Sequence, residues 1–284
     1  MRSAGSLAAD RLDAFAEAAD YAVVGPTDNR VQEADTTRFP FSTVCHLGRD
    51  FGDGRLRGCS GVLIAPMLVL TAGHCLYNLL LRRAPRGIVV SPARRDRDTM
   101  PFGSIQASQA YVARGFIGPQ GRRPTRIRTH DYGLIALPAA FRGLDRFMPL
   151  AAPTDAELAA IRRDGLITIA GYPGDRPIGT LWRHAENLRG WTPRRLFYTV
   201  HTCPGHSGSP IWHRSGARET PVVIGVHTSG IVDEQGRPYG CHKDTVLAPP
   251  GMVNSGVRIL REVVADLLDP ERRRGGERRM LRVL

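Results

Sequence analysis

Short runs of apolar and alternating residues, separated by turn residues, recur along most of the chain. Its 31 glycines and 21 prolines suit a protein of many short strands. In the first half the runs are 41–47, 58–64, 69–72, 87–90, 105–113 and 132–137. In the second half they are 166–171, 179–183, 196–201, 210–212, 222–227 and 256–259. Six strands can close a small antiparallel barrel, so we predict an all-β fold of two six-stranded β-barrels, about 38–140 and about 160–260.

The apolar spacing changes from two residues to 3.6 near the end of the second group. The apolar positions with this longer period are Ile259, Leu260, Val263, Val264, Leu267 and Leu268. Asp269-Pro270 ends the pattern, which predicts a C-terminal α-helix at about 259–269. A weaker pattern at 155–161 predicts a helical turn in the connector between the barrels.

Composition narrows the class of protein. No run approaches eighteen apolar residues, so we predict no membrane span. The net charge is +12, but the basic residues are scattered arginines apart from Lys243, without the grouped aromatics of a nucleic-acid module. We therefore expect no nucleic-acid partner, and we interpret 271–284 as a solvated basic tail. Residues 1–22 form an alanine-rich leader or pro-segment without the apolar core of a secretory signal, followed by one domain at 23–270.

The five cysteines include no Cys-x-x-Cys pair, which argues against a structural zinc site, and we expect no metal and no cofactor. Cys59 and Cys75 flank the first apolar hairpin, while Cys203 and Cys241 flank a Ser-Gly segment. We predict the disulfides Cys59–Cys75 and Cys203–Cys241, with Cys45 left as a thiol. Disulfides indicate an oxidising compartment, extracellular or periplasmic. The alternative is five reduced, buried cysteines in a cytosolic protein.

Three short motifs contain the parts of a nucleophilic triad. His74 lies in an Ala-Gly-His-Cys turn, Asp131 opens an apolar strand, and Ser207 stands in the segment from Gly205 to Pro210. A serine hydroxyl needs a base within hydrogen-bond reach, and the base needs a group that orients it. Each motif alone has a structural explanation: a tight turn, a packed histidine or a strand cap. The order His, Asp, Ser is that of the chymotrypsin arrangement, which excludes subtilisin and the α/β-hydrolases.

A glycine two residues before the serine has a second role. The oxyanion that forms during acyl transfer needs two preorganised backbone donors. Glycine lets the backbone turn both N–H groups inward, so we predict an oxyanion hole made by the N–H groups of Gly205 and Ser207.

From residue 24 to about 268 the chain resembles the trypsin-like serine peptidases, and most of all their bacterial glutamyl-endopeptidase branch. The segments that carry this resemblance are 59–64 (CSGVLI), 71–75 (TAGHC), 131–134 (DYGL), 171–175 (GYPGD) with Trp182 after it, 205–210 (GHSGSP) and 256–259 (GVRI). The resemblance implies an endopeptidase that acts on peptide or protein substrates through an acyl-enzyme, as a monomer.

The same resemblance implies a specificity pocket. Its lining residues would be Thr202, His227, Thr228, Ser229 and Gly230. No carboxylate stands near Thr202, which disfavours cleavage after Arg or Lys, whereas histidine and hydroxyl groups suit a Glu or Asp side chain. The alternative is that His227 is a strand histidine that only packs within the barrel, and that the pocket accepts small or apolar residues. Val23 or Val24 matches the start of a processed enzyme, so the intact chain would be a zymogen.

A protein with this fold need not be an enzyme. The alternative hypothesis is a catalytically inactive serine-peptidase homologue that acts as a protein-binding module.

Overall fold

The computed structural model describes residues 27–52, 56–118, 127–215, 218–229, 239–241, 252–269 and 279–284. The predicted leader 1–22, Gly230 of the predicted pocket and most of the tail at 271–284 lie outside these residues. Among the described residues, no helix is both long and apolar enough to cross a membrane.

The described elements are mostly strands. In chain order they are β1 (Val31–Gln32), β2 (Val44–Asp50), β3 (Leu56–Ala65), β4 (Leu68–Thr71), β5 (Gly87–Pro92), β6 (Ile105–Gln106), β7 (Gln109–Ala113), β8 (Gly133–Ala136), β9 (Ile167–Gly171), β10 (Trp182–Glu186), β11 (Leu188–Trp191), β12 (Arg195–Tyr198), β13 (Pro210–Ser215), β14 (Arg218–Ser229), β15 (Asn254–Arg258) and β16 (Met280–Arg282). The α-helices are α1 (Gly73–Leu76), α2 (Arg114–Ile117), α3 (Asp155–Asp164) and α4 (Arg261–Leu268), and Phe41–Thr43 form a 3-10 turn.

The strands form two curled antiparallel sheets, which confirms the predicted all-β, trypsin-like architecture. The first sheet has the order β16-β7-β8-β4-β3-β2-β5-β6, and the second β1-β10-β9-β13-β14-β15-β12-β11. The predicted C-terminal helix is present as α4, with Val263 and Leu267 buried. The predicted turn in the connector is the longer helix α3, which begins with a capping box between Thr154 and Glu157.

Each sheet has eight strands among the described residues, so the predicted count of six is wrong for both. The run at 105–113 divides into β6 and β7, and β11 lies between two predicted strands. The other additions are β1 and β16, of two and three residues. Strands this short contain too few positions for an alternation to appear, and both residues of β1 are exposed.

Two features of the packing place the candidate site. A continuous apolar core fills the first sheet and extends to Trp212, Val226 and Leu267 of the second half. The N–H of Ser60 in β3 donates to the carbonyl oxygen of Ser207, at 2.8 Å. The first sheet therefore holds the segment that contains the candidate nucleophile directly.

Candidate active site

His74 lies in the single turn α1, immediately after β4. The next residue, Cys75, is joined to Cys59 of β3, so a disulfide fixes this turn to the sheet. A Cβ at Gly73 would lie 3.1 Å from Oδ1 of Asp131, so a larger residue there would crowd the carboxylate. The Ala-Gly-His-Cys motif thus places the imidazole beside a carboxylate.

Asp131 lies just before β8, which pairs with β4 so that Thr71 faces Gly133. Its Oδ1 accepts a hydrogen bond from the backbone N–H of His74 at 2.8 Å, and its Oδ2 lies 2.7 Å from Nδ1 of the same residue. The Asp131 side chain is 8% exposed, whereas that of His74 is 29% exposed. One carboxylate therefore orients both the turn and the ring, and leaves the ring partly exposed.

Ser207 completes the chain of hydrogen bonds, because its Oγ lies 2.6 Å from Nε2 of His74. Gly208 has a φ of +82°, and a Cβ there would lie 2.2 Å from the carbonyl oxygen of Ser60. Only glycine fits this close approach to β3. With Nδ1–H donating to Asp131, Nε2 is left as an acceptor for the serine hydroxyl, which is the arrangement needed for general-base catalysis.

The residues before Ser207 form a turn that presents two backbone donors. The N–H of His206 donates to the carbonyl oxygen of Cys203 at 2.9 Å, and Gly205 has a φ of +102°. Pro204 followed by a glycine with positive φ is typical of a type II turn. A Cβ on Gly205 would lie 2.4 Å from the carbonyl oxygen of Tyr172. This position therefore requires glycine for both conformation and space.

The direction of the two donors follows from the planarity of the peptide. In a trans peptide the C=O and N–H bonds point in opposite directions. The carbonyl oxygen of Pro204 accepts from the N–H of Gly174 at 2.7 Å, and that of His206 accepts from the N–H of Ser209 at 2.9 Å. The N–H groups of Gly205 and Ser207 point away from these partners, and neither donates a hydrogen bond to a described residue. Both donors are therefore available to an oxyanion.

The predicted pocket residues lie on two segments that meet at the nucleophile. The N–H of Gly208 donates to the carbonyl oxygen of His227 at 2.8 Å, which joins the nucleophile segment to β14. Between His227 and Ser229 the pairing of β14 with β15 shifts register, so Thr228 is an extra residue in a β-bulge. Thr202 is buried, and its Oγ1 has no hydrogen-bond partner within the part of the chain that the structure describes.

His227 is fully buried, and its Nδ1 lies 2.6 Å from the phenol oxygen of Tyr198 in β12. Burial lowers the pKa of His227 well below its usual value, and the nearby His206 and His74 lower it further. Burial raises the pKa of Tyr198 well above its usual value. The phenol therefore keeps its proton beside a neutral imidazole.

Both predicted disulfides, Cys59–Cys75 and Cys203–Cys241, are present, and Cys45 is a free, buried cysteine. Burial raises the pKa of the Cys45 thiol, which keeps it protonated. Cys59, His74 and Cys75 lie together with the spacing of a metal site, but the two sulfur atoms are bonded to each other and are not thiolate ligands.

His206, which directly precedes Ser207, is buried, 1% exposed. Burial and the charge of Arg30 lower its pKa to about 3. Sequence reasoning missed three residues that organise the site: Ser60, Gly174 and Tyr198. Ser60 Oγ donates to the carbonyl oxygen of Gly205 and accepts from the N–H of Tyr172. The segment 171–175 was noted only as part of a resemblance, and its position against the oxyanion turn gives it a structural role.

The chain is similar in sequence and fold to known proteins. A family model described as Trypsin matches residues 29–245. A glutamyl endopeptidase of Bacillus licheniformis is 29% identical over 248 residues, which cover 86% of this chain and 67% of that protein. An extracellular metalloprotease of Bacillus subtilis is 26% identical over 208 residues, which cover 72% of this chain and 61% of that protein.

Among solved structures, that of a Glu endopeptidase in complex with MPD is similar in fold, with a TM-score of 0.64 and 24% sequence identity, covering 85% of this chain and 95% of that one. The match to the Bacillus subtilis protein spans less than two thirds of that relative's length. The family model nevertheless covers most of the present chain. The chain therefore belongs to the Trypsin family of serine endopeptidases.

Proposed function

We propose that this protein hydrolyses peptide bonds through an acyl-enzyme, with Ser207 as nucleophile, His74 as general base and Asp131 as the group that orients the base. The observation that carries the proposal is the unbroken chain of hydrogen bonds from Asp131 through His74 to Ser207, with heavy-atom distances of 2.7 and 2.6 Å. If His74 were only a packed histidine and Asp131 only a strand cap, the contact between Nε2 of His74 and Oγ of Ser207 would not be required.

The proposed reaction has two steps. Ser207 Oγ attacks the carbonyl carbon of the substrate while its proton moves to Nε2 of His74, and the negative charge on the carbonyl oxygen is held by the N–H groups of Gly205 and Ser207. Collapse of this intermediate breaks the C–N bond, and the amine leaves with the proton from His74. Water then attacks the acyl-enzyme with the same base, which releases the acid and restores Ser207.

The pocket favours a carboxylate side chain before the scissile bond, Glu or Asp. Its support is the neutral, buried imidazole of His227 and the unpartnered Oγ1 of Thr202, since a buried hydroxyl without a partner favours a ligand that supplies one. The name of the Bacillus licheniformis relative agrees with this preference. The rival is a pocket for small or apolar residues, in which His227 only packs.

Further proposals concern the setting of the enzyme. Two disulfides and a relative named as extracellular support export to an extracellular or periplasmic compartment. We also propose action as a monomer on peptides and proteins, and activation by removal of residues 1–22.

The test is hydrolysis of a peptide library by the full chain and by a chain that begins at Val23. Ser207→Ala serves as the inactive variant, and Ser209→Ala as its matched control, because Ser209 is a buried serine two residues away whose Oγ makes no hydrogen bond in the described structure. We expect cleavage after Glu that is lost in Ser207→Ala and kept in Ser209→Ala. Cleavage that survives in Ser207→Ala would exclude the proposed nucleophile.

The result also decides between the pocket hypotheses. Cleavage after apolar residues would preserve the mechanism and exclude the carboxylate pocket. Failure of both preparations to hydrolyse peptides or to react with a fluorophosphonate, with the protein folded, would favour the inactive binding module.

A further inference from the structure

Four charged side chains form a cluster that the proposed reaction does not use. Arg30 has a fully buried side chain, and its guanidinium lies 2.7 Å from Oδ2 of Asp28 and 2.6 Å from Oδ2 of Asp175. A second nitrogen of Arg30 donates to Oδ1 of Asp175 at 3.0 Å, so this pair is bidentate. Arg176 also donates to Asp28, at 2.6 Å. Charges of opposite sign thus alternate across two segments that are far apart in the chain.

A buried guanidinium is costly unless its partners surround it. Burial opposes the charge on Arg30, but the hydrogen bonds that it donates to Asp28 and Asp175 outweigh that effect and raise its pKa above the usual value. Bidentate geometry also restricts where the Asp175 carboxylate can sit, because the planar guanidinium accepts few orientations. The cluster therefore fixes the position of residue 175 more than a surface ion pair would.

Residue 175 directly follows the donor that orients the oxyanion turn. The N–H of Gly174 donates to the carbonyl oxygen of Pro204, and the other end of that peptide is the N–H of Gly205. Loss of the 2.7 Å contact would free the Pro204–Gly205 peptide to rotate, and its N–H would no longer be preorganised. The position of Gly174, which Asp175 helps to fix, therefore affects the orientation of the Gly205 N–H in the proposed oxyanion hole.

The segment that contains Arg30 also touches the wall of the pocket. The N–H of Asn29 donates to Nδ1 of His201 at 3.1 Å, and His201 directly precedes Thr202. The N–H of His201 in turn donates to Nδ1 of His184 at 2.8 Å. The packing of residues 28–30 is therefore linked to the proposed catalytic centre by two sets of contacts, one at Asp175 and one at His201.

We propose that Arg30 is a positioning residue for the oxyanion hole: its ion pair with Asp175 holds Gly174 where its N–H orients the Pro204–Gly205 peptide. The inference rests on the proposed function. Loss of the ion pair would disorder the oxyanion donors and leave the triad itself in place.

The test uses the full chain with Arg30→Lys, Arg30→Met and Asp175→Asn. Arg30→Lys keeps the positive charge but loses the bidentate contact with Asp175. It therefore still tests the role of that contact if Arg30→Met fails to fold. The matched control is Arg183→Met, because Arg183 makes an ion pair of 3.0 Å with Glu33 of the same N-terminal region and its side chain makes no hydrogen bond to 171–175 in the described structure. Thermal unfolding establishes that each variant is folded.

Two ligands separate an oxyanion effect from a general binding effect. A peptide aldehyde forms a hemiacetal whose oxygen occupies the oxyanion hole, whereas the corresponding peptide alcohol binds without that contact. We expect the Arg30 and Asp175 variants to lose at least tenfold in kcat and in aldehyde affinity, with KM and alcohol affinity within twofold of the parent. Arg183→Met should change none of these.

Equal losses for aldehyde and alcohol, or parental kcat and aldehyde affinity in folded Arg30→Lys and Asp175→Asn, would overturn the proposal. The proposed function is tested separately, on the parent protein alone. A parent protein that hydrolyses no peptide and is not labelled by a fluorophosphonate would exclude the enzyme hypothesis before any Arg30 variant is made.

Discussion

The phenol oxygen of Tyr198 lies 2.6 Å from Nδ1 of His227, and both side chains are fully buried. The phenol is a donor, since its pKa is raised by burial, and Nδ1 is the acceptor. The proton of the neutral ring is then on Nε2, where it is suited to donate to a carboxylate. Tyr198 thus selects the tautomer of the proposed specificity histidine.

Tyr198→Phe removes the hydrogen bond that selects the tautomer of His227 and keeps the aromatic ring in the core. We expect kcat/KM for a Glu peptide to fall about fivefold, because one hydrogen bond at a buried site contributes roughly 1 kcal/mol. The value for a matched Leu peptide should change little. Tyr172→Phe is the control, since its hydroxyl also donates to a buried acceptor, the carbonyl oxygen of Val44. A parallel loss for both peptides would assign Tyr198 to stability alone.

Asp131→Asn should reverse the tautomer of His74, the proposed general base. Oδ1 already accepts from the backbone N–H of His74, so the amide nitrogen would take the place of Oδ2 and donate to Nδ1. The ring proton would then move to Nε2, which no longer accepts from Ser207. We expect kcat to fall by about 10⁴ with little change in KM.

Asp164→Asn, on the exposed end of α3, is the control for loss of one carboxylate. The measurement is steady-state kinetics with thermal unfolding of each variant. An Asp131→Asn enzyme within tenfold of the parent would show that this carboxylate does not set the tautomer.

Acid should destabilise the fold through buried neutral histidines. Burial lowers the pKa of His46 to about 4, with help from Arg94 and Arg49, and that of His206 to about 3. Between those values and about 6.5 the unfolded chain binds more protons, so the stabilisation present above pH 6.5 is lost as the pH falls. Each histidine should contribute a loss of roughly 1 kcal/mol per pH unit in that window.

The measurement is the free energy of unfolding in urea at pH 7 and pH 5. His206→Gln should make the difference between the two values smaller, because glutamine does not titrate. An unchanged difference in that variant would show that His206 binds its proton at the same pH in the folded and unfolded states, contrary to its lowered pKa.

The two disulfides should stabilise the fold to different extents. Cys59–Cys75 closes a sequence separation of 16 residues and Cys203–Cys241 one of 38, and the loss of chain entropy in the unfolded state grows with loop length. Replacement of each pair by alanine should lower the free energy of unfolding by about 3 and about 4 kcal/mol respectively. Urea unfolding checks the order, and removal of Cys59–Cys75 should also lower kcat because Cys75 follows His74.

Several parts of this structure were predictable because local patterns encode them. The Ala-Gly-His-Cys and Gly-x-Ser-Gly motifs need specific residues in tight turns, and the cysteines flank those turns, so both disulfides were predicted correctly. Arg30 and Tyr198 were not found. Their roles depend on partners far along the chain, Asp175 and His227, which no local spacing reveals. β1 and β16 were not predicted for a different reason: with two and three residues, they are too short to show an alternation of apolar and polar positions.

The positions of β1 and β16 bear on how the molecule unfolds. β1 precedes all strands of the first sheet but pairs with β10 in the second, whereas β16 follows all strands of the second sheet and pairs with β7 in the first, where Met280 is buried. Each sheet is completed by a segment attached to the opposite half, so neither half retains its full set of strands when the other melts. The two halves are thereby coupled into a single cooperative unit, and calorimetry should record one transition whose van't Hoff and calorimetric enthalpies agree.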